Sequence, residues 1–323
     1  MKKGKLIIIS GPTACAKTKT SIELSLLLKN TFKKNVEIIN FDSLLFYREL
    51  NIGTAKPTLS ERQNITHHLI DITSAKNPIN AADYLKSANF LINDIIVKGA
   101  IPILVGGSGF YLRALLKGMY ETKSTDDVVQ KEVKELYERE GISPIIEKLK
   151  IHDPQSLITL HPNDHYRLMR AIEFFLTCGQ PISKEKERMQ KEKPYDFSEN
   201  KYPSLDLLHY YLDIPKELHW EIIQSRTRQM IKDGLINEVQ ALLNQGFSGE
   251  EKPLQSIGYK ETMQFLNGDL KNIDQLFEAI IVATRQLAKS QRTFFAKVIP
   301  KHKINPLVDT SIRNDLLKKF IVD

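Results

Sequence analysis

Residues 11–18 read GPTACAKT, a run opened by a glycine and closed by Lys-Thr. Backbone amides of such a loop, together with the Lys17 ammonium, are suited to hold a diphosphate, and the Thr18 hydroxyl to ligate a magnesium ion bridging its oxygens. The candidate diphosphate-binding residues are therefore Gly11, Pro12, Thr13, Ala14, Cys15, Ala16, Lys17 and Thr18. The spacing follows G-x-x-x-x-G-K-[ST] except at Ala16, where the second glycine is expected. If that position requires positive φ, an alanine there costs about 1–2 kcal/mol. Nothing in the loop says whether its phosphates are transferred, hydrolysed or expelled as a leaving group. Two further clusters join it: Asp42-Ser43, and the glycine-rich Gly106-Gly107-Ser108-Gly109.

These residues need strands that end together. Leu6 to Ile9 is a continuous apolar run, as expected of a strand buried on both faces of a parallel sheet, and an apolar helical pattern from about Lys17 to Leu28 follows the loop. Val36 to Asn40 and Ile101 to Val105 read as further interior strands, His67 to Ile72 as a short one, and Ala81 to Val97 and Tyr111 to Leu116 as helices. Strand and helix in alternation imply a doubly wound parallel sheet. Ligands collect at the carboxyl ends of its strands, which places Asp42, Ser43 and the 106–109 glycines beside the diphosphate. The His67-His68 pair is read as structural, because spacing supplies no third metal ligand.

From Lys117 strand-like runs disappear until Leu205. Asp126 to Arg139, Ser143 to Leu149 and Asp164 to Thr177 read as helices, and Ser183 to Pro194 as a solvated run of mixed charge. The expected organisation is a core of 1–116 and 205–323 interrupted by an all-helical subdomain, 117–204. In the Asp164 helix Arg167 and Arg170 share a face that could grip a phosphate backbone, while Leu168, Ile172, Phe175 and Leu176 are placed to pack inward. Leu207 to Ile214 returns to a strand, followed by helices over Glu217 to Lys232, Leu235 to Leu243 and Asp274 to Val298. On the last of these, Arg285, Lys289 and Arg292 are expected on one free face, opposite Ile280, Leu287, Phe294 and Val298.

The chain of 323 residues carries a net charge of +7, which suggests a polyanionic partner. Distribution says more than the total, since Ala279 to Val308 holds no acidic residue before the chain reaches Asp309. No apolar run is long enough to span a bilayer, and Met1-Lys2-Lys3 leads into a strand without the apolar core of a secretion signal, so a cytoplasmic protein without membrane contact is expected. The two cysteines, Cys15 and Cys178, offer neither a disulfide framework nor a zinc site. Cys15 is read as a small filler of the loop.

Taken in order, GPTACAKT (11–18), DSLLFYRELNIGTAKP (42–57), HHLIDI (67–72), LVGGSGFYLRALL (104–116), HPNDHYRLMRAIE (161–173), IGYKE (257–261) and ATRQLAKSQRTFF (283–295) resemble the tRNA dimethylallyltransferases. The resemblance implies a P-loop NTPase-like core and a prenyl transfer. N6 of the adenosine immediately 3′ of the anticodon, in tRNAs that read codons beginning with U, attacks dimethylallyl diphosphate, and diphosphate leaves. It further implies that Asp42 is the general base with the Ser108 hydroxyl beside it, and that Arg226 reaches the diphosphate. Thr18 joins these as a catalytic residue and magnesium ligand. The tRNA anticodon stem-loop would meet Asp42, Ser43, Leu44, Leu45, Ser108, Arg167, Arg170, Ile257, Gly258, Tyr259, Lys260, Arg285, Lys289 and Arg292, on an enzyme expected to be a monomer. The chain departs from the family pattern at Leu45, near Gln130 and at Ser290 as well as at Ala16. Two other readings stand beside this one: an adenylate isopentenyltransferase or P-loop small-molecule kinase, and a non-catalytic RNA-binding protein with a decayed loop. The helical insertion and the basic stripe favour RNA over a free nucleotide.

Overall fold

The computed structural model describes residues 3–119, 127–191 and 193–323. Met1, Lys2, Asp126 and Glu192, which entered the readings above, lie outside them. The chain runs β1 (Gly4–Ser10), α1 (Lys17–Phe32), β2 (Val36–Asn40), β3 (His67–His68), α2 (Ala81–Val97), β4 (Ile101–Gly106) and α3 (Gly109–Lys117). Five helices follow: α4 (Asp127–Glu140), α5 (Ser143–His152), α6 (Pro154–Thr159), α7 (His165–Cys178) and α8 (Ile182–Lys191). It returns through β5 (Leu205–Leu212), α9 (Lys216–Lys232), α10 (Leu235–Asn244), α11 (Tyr259–Leu266), α12 (Ile273–Lys297), β6 (His302–Ile304) and α13 (Thr310–Val322).

The six strands form one parallel sheet in the order β3-β2-β4-β1-β5-β6. Burial on both faces explains the unbroken apolar run, since Leu6, Ile7, Ile8 and Ile9 are all inaccessible. Ile7 and Ile9 pack with Ile22, Leu24 and Leu28 of α1 and Leu317 and Ile321 of α13. On the opposite face Ile96 of α2 approaches Gly4. From β1 the chain passes over β4 to β2 and β3 before returning to fill the gap. The strand order therefore switches at β1 and β4, and the carboxyl ends of both open into loops there.

The expected strand 67–72 is shorter than its sequence suggests. Only His67 and His68 pair with β2, because Leu69 and Asp71 adopt left-handed backbone (φ 59° each) that a ladder cannot continue. The mixed-charge run forms α8, and α6, α11, β6 and α13 are not among the elements expected from the sequence.

The chain divides into two compact units, residues 1–116 with 197–323, and residues 117–196. Residues 197–204, expected in the insertion, thus belong to the sheet-bearing unit. The Phe197 amide donates to Ile299 O (2.6 Å), the Phe197 ring stacks on His209, and the Lys201 amide donates to Leu116 O (2.8 Å). The helical unit has its own core of Val133, Ile145, Leu149, Leu168, Ala171 and Ile172, with Phe175 partly buried against it. Leu176, expected to pack inward, is instead exposed over nearly half its surface. Buried Asp153 ties this unit together by capping α6 through Ser156 and accepting the Ser183 amide at the start of α8.

Candidate active site

Because the sheet is parallel, residues 11–18, 40–42, 106–108 and 213 leave it at the same edge. The 11–18 loop ends in a helix start that no side chain fills. Ala16 occupies the cap position with no side-chain acceptor, and the first turn of α1 carries no acid, so its amides and positive dipole end remain for an anion. Lys17 folds back to donate to Pro12 O (2.7 Å). Loss of hydration lowers its pKa, and the Asp42 carboxylate opposes that shift. The Thr18 hydroxyl, at the second helical residue, makes no hydrogen bond to another described residue.

Ala16 does take the conformation that the missing glycine would ease (φ 55°, ψ 27°), and Ala14 is left-handed too (φ 59°). Ala16→Gly should therefore keep or raise turnover. Relief of about 1–2 kcal/mol of backbone strain is offset by about 0.4–1 kcal/mol of added unfolded-state entropy, so the melting temperature should move little. Steady-state kinetics and calorimetry check this; a drop in turnover would assign the Ala16 methyl a role of its own.

Asp42 sits in a turn built by Asn40, a buried residue that the sequence reading passed over. The Asn40 side chain accepts the Asp42 amide (2.8 Å) and donates to Asp42 O and Leu69 O (2.9 Å each). One Asp42 oxygen accepts the Leu44 amide (3.2 Å). Asp42 also faces the Arg226 guanidinium, whose pKa is lowered by burial and raised by that carboxylate. Lys17, Asp42 and Arg226 are thus brought into mutual electrostatic reach from α1, the β2 end and α9.

Arg226 donates to Thr54 O (3.4 Å), in the loop 51–57. Glu238 of α10 shapes that loop by accepting the amides of Asn51, Ile52 and Gly53, and the Tyr259 hydroxyl at 2.6 Å. Tyr259 is fully buried, its ring so close to Gly53 that an added Cβ would lie 2.4 Å from it. The expected RNA contact at Tyr259 is therefore corrected, since its side chain supports the Arg226 loop. Gly258 is buried with its amide on Glu261, and Lys260 is exposed.

The glycines after β4 leave room for side chains of α12. A Cβ on Gly107 would meet Gln291 at 2.5 Å, and one on Gly109 the Phe294 ring at 2.2 Å. Gln291 bridges the Gly107 carbonyl (3.1 Å) and the Thr13 amide (2.8 Å). Ser108, at the start of α3, remains partly accessible, as do Ser43, Leu44 and Leu45 beside Asp42.

The expected face of Arg285, Lys289 and Arg292 is divided, because their side of α12 packs on α9. Only Lys289 is well exposed. The Arg285 guanidinium lies over the Trp220 ring, 4.6 Å from its centroid. Arg292 points inward, donating to Asp213 (2.9 Å), Ile214 O (3.1 Å) and His219 Nδ1 (2.7 Å). Burial works against ionisation of Asp213, yet Arg292 and Lys303 hold its carboxyl below the usual range. In the helical unit Arg167 and Arg170 pair with Asp164 and Glu173 of their own turns, at 3.0 and 2.6 Å. Cys15 is fully buried against His219, and burial pushes its thiol up to about 11, which suits a filler and not a nucleophile.

Residues 45–298 match the family model described as IPP transferase. The chain belongs to the IPP transferase family. It is 38% identical to tRNA dimethylallyltransferase 1 of Trichlorobacter lovleyi, over 91% of each chain, and 38% identical to tRNA dimethylallyltransferase 2 of Geotalea uraniireducens, over 91% of this chain and 90% of that one. The solved tRNA isopentenylpyrophosphate transferase of Staphylococcus epidermidis shares 33% identity at a TM-score of 0.66, covering 98% of both chains. A eukaryotic dimethylallyltransferase solved acting on tRNA shares 26% identity at a TM-score of 0.76, over 98% of this chain and 80% of that one. As an IPP transferase the protein is a prenyl-transferring enzyme. That places a leaving diphosphate, rather than a transferred phosphoryl group, among the chemistries the loop leaves open.

Proposed function

We propose that this enzyme transfers the dimethylallyl group of dimethylallyl diphosphate to N6 of the adenosine 3′ of a tRNA anticodon, giving N6-isopentenyladenosine and diphosphate. The observation that carries this reading is the convergence of Lys17, Arg226 and Asp42 beside the open amides of α1. Two cations and a helix N-terminus suit the charge that develops as the C–O bond breaks and diphosphate departs with the electron pair. The new bond joins N6 to the allylic carbon, and the amine proton passes to the Asp42 carboxylate. Ser108 offers a hydroxyl at the same edge for the base.

A magnesium ion fits the donor set. Among the described residues no group of three or more His, Cys, Asp or Glu could hold a metal by itself. Magnesium, however, commonly takes one protein oxygen, phosphate oxygens and waters, and the Thr18 hydroxyl, unengaged among the described residues, would supply such an oxygen. When bound, the ion would neutralise charge on the diphosphate.

For tRNA, we assign the exposed Lys289 and the partly exposed Arg285 to the RNA surface of the sheet-bearing unit, and Arg167 and Arg170 to that of the helical unit. Lys289→Ala should weaken tRNA binding and flatten its salt dependence by about 0.7 in log–log slope if the contact is to single-stranded RNA. Arg292→Ala should leave that slope alone and destabilise the fold by about 2 kcal/mol through its lost charged hydrogen bonds. Binding isotherms across a salt titration, with thermal melts, separate the two; an unchanged slope in Lys289→Ala would move the RNA surface elsewhere.

The reading includes a cytoplasmic monomer. One chain supplies every group named, and among the described residues no helix is long and apolar enough to cross a membrane. Incubation with radiolabelled dimethylallyl diphosphate and unmodified tRNA, AMP or ATP tests the whole. Label in tRNA alone is the expected result, and label in AMP or ATP alone would overturn it in favour of an adenylate-prenylating enzyme.

A further inference from the structure

Beneath the 11–18 loop lies a chain of side chains with no place in the chemistry above. His219 of α9 has Nε2 2.8 Å from Thr13 O and 3.6 Å from Cys15 Sγ, and Nδ1 2.7 Å from Arg292 Nη2. Arg292 in turn is fixed by Asp213 at 2.9 Å, which Lys303 also holds at 3.0 Å. Because a guanidinium only donates, Nδ1 of His219 must accept, and the ring proton of the neutral imidazole must lie on Nε2. That proton is donated to the Thr13 carbonyl.

The consequence for the loop follows from peptide planarity. In a trans peptide the carbonyl and the next amide point in opposite directions, so drawing Thr13 O toward His219 turns the Ala14 N–H away from it. Thr13 is held from its other side as well, its amide donating to Gln291. The neighbouring left-handed alanines, Ala14 and Ala16, need such anchors, since a residue bearing a Cβ is strained in that conformation and leaves it when free to relax.

We infer that His219 is a positioning residue for the diphosphate loop, set in a single tautomer by the Arg292–Asp213 pair and fixing the peptide between Thr13 and Ala14 for the leaving group. This rests on the assignment of the loop to diphosphate. The charged and titratable groups facing the ring are Arg292 of α12, Asp213 after β5, Lys17 of α1 and Cys15 of the loop. Burial holds the His219 pKa below its ordinary value; Arg292 and Lys17 act in the same direction, while the Thr13 carbonyl and Asp213 oppose them without reversing the shift. Protonation would put a hydrogen on Nδ1 against a guanidinium and break the arrangement, so the loop should loosen only at acid pH.

The test is titration of inorganic diphosphate with magnesium into the full-length protein by calorimetry, with folding followed by circular dichroism. His219→Phe keeps the ring without its donor, and should weaken diphosphate binding about tenfold, the loss of one hydrogen bond in a loop that then relaxes, with tRNA affinity unchanged. His219→Gln, which restores a donor near Nε2, should recover most of it. Arg292→Gln, whose amide can turn to accept from Nδ1, should move the acid loss of diphosphate binding to higher pH. Equal binding by wild type and His219→Phe, or no recovery in His219→Gln, overturns the inference. If His219→Phe fails to fold, an unmoved acid limb in Arg292→Gln does the same. A wild-type protein that binds no magnesium diphosphate overturns the loop assignment itself.

Discussion

Asp42→Asn is expected to lower the single-turnover rate of prenyl transfer by ~10²–10⁴-fold, the contribution of a positioned general base, with tRNA affinity little changed. Asparagine can still accept the Leu44 amide through its side-chain oxygen, and Asn40 fixes the turn through the backbone of residue 42. The substitution therefore removes the proton acceptor and leaves its scaffold. Rapid-quench measurement with saturating dimethylallyl diphosphate and excess enzyme over tRNA isolates the chemical step. A near-normal rate would remove Asp42 from the reaction and leave it only the electrostatic partner of Lys17 and Arg226.

The second large effect is expected at Lys17. Lys17→Ala should reduce kcat/KM for dimethylallyl diphosphate by ~10²–10³-fold, the scale of a donor lost from developing charge in a desolvated site. Lys17 is only lightly engaged by the protein, through the Pro12 carbonyl, and its depressed pKa marks a charge that has left water without gaining a full partner. A diphosphate would provide one. Since Asp42 and Arg226 remain, folding should be preserved. The loss should also appear as weaker binding of diphosphate itself, measured by titration. A variant with normal diphosphate affinity and normal turnover would contradict the assignment.

Much of this was legible in the sequence for a physical reason. A parallel sheet covered on both faces leaves continuous β-branched runs, and helices covering it repeat their apolar positions, so β1, β2, β4, α1, α2 and α12 could be read within a few residues. Their shared carboxyl edge then follows from topology, which is why Asp42 and the 11–18 loop could be associated before any coordinates. Partnership between distant side chains leaves no such trace. Nothing near Glu238 says that it gathers the amides of Asn51, Ile52 and Gly53, and nothing near His219 points to Thr13. The same limit misplaced Arg292. Its spacing from Arg285 and Lys289 says they lie on one side of a helix, but not that α9 brings Trp220 and His219 against that side. Residues 197–204 were misassigned because their attachment to Leu116, His209 and Ile299 rests on irregular backbone with no period to read.

The strand order also sets the sequence of events during synthesis. β1 is made well before its neighbours, which are β4 and β5, with Ile7 opposite Ile103 on one side and Gly4 opposite Leu205 on the other. A ribosome adding about 5–20 residues per second must build the entire helical unit before the second edge of that apolar strand can be covered. Until then its unpaired amides and carbonyls are a template for any passing strand. The helical unit, whose core is assembled from residues close in sequence, can fold meanwhile without waiting for the sheet. Its position in the chain thus prolongs the most aggregation-exposed interval in the life of the sheet, and a chain cut anywhere before Leu205 never leaves that interval.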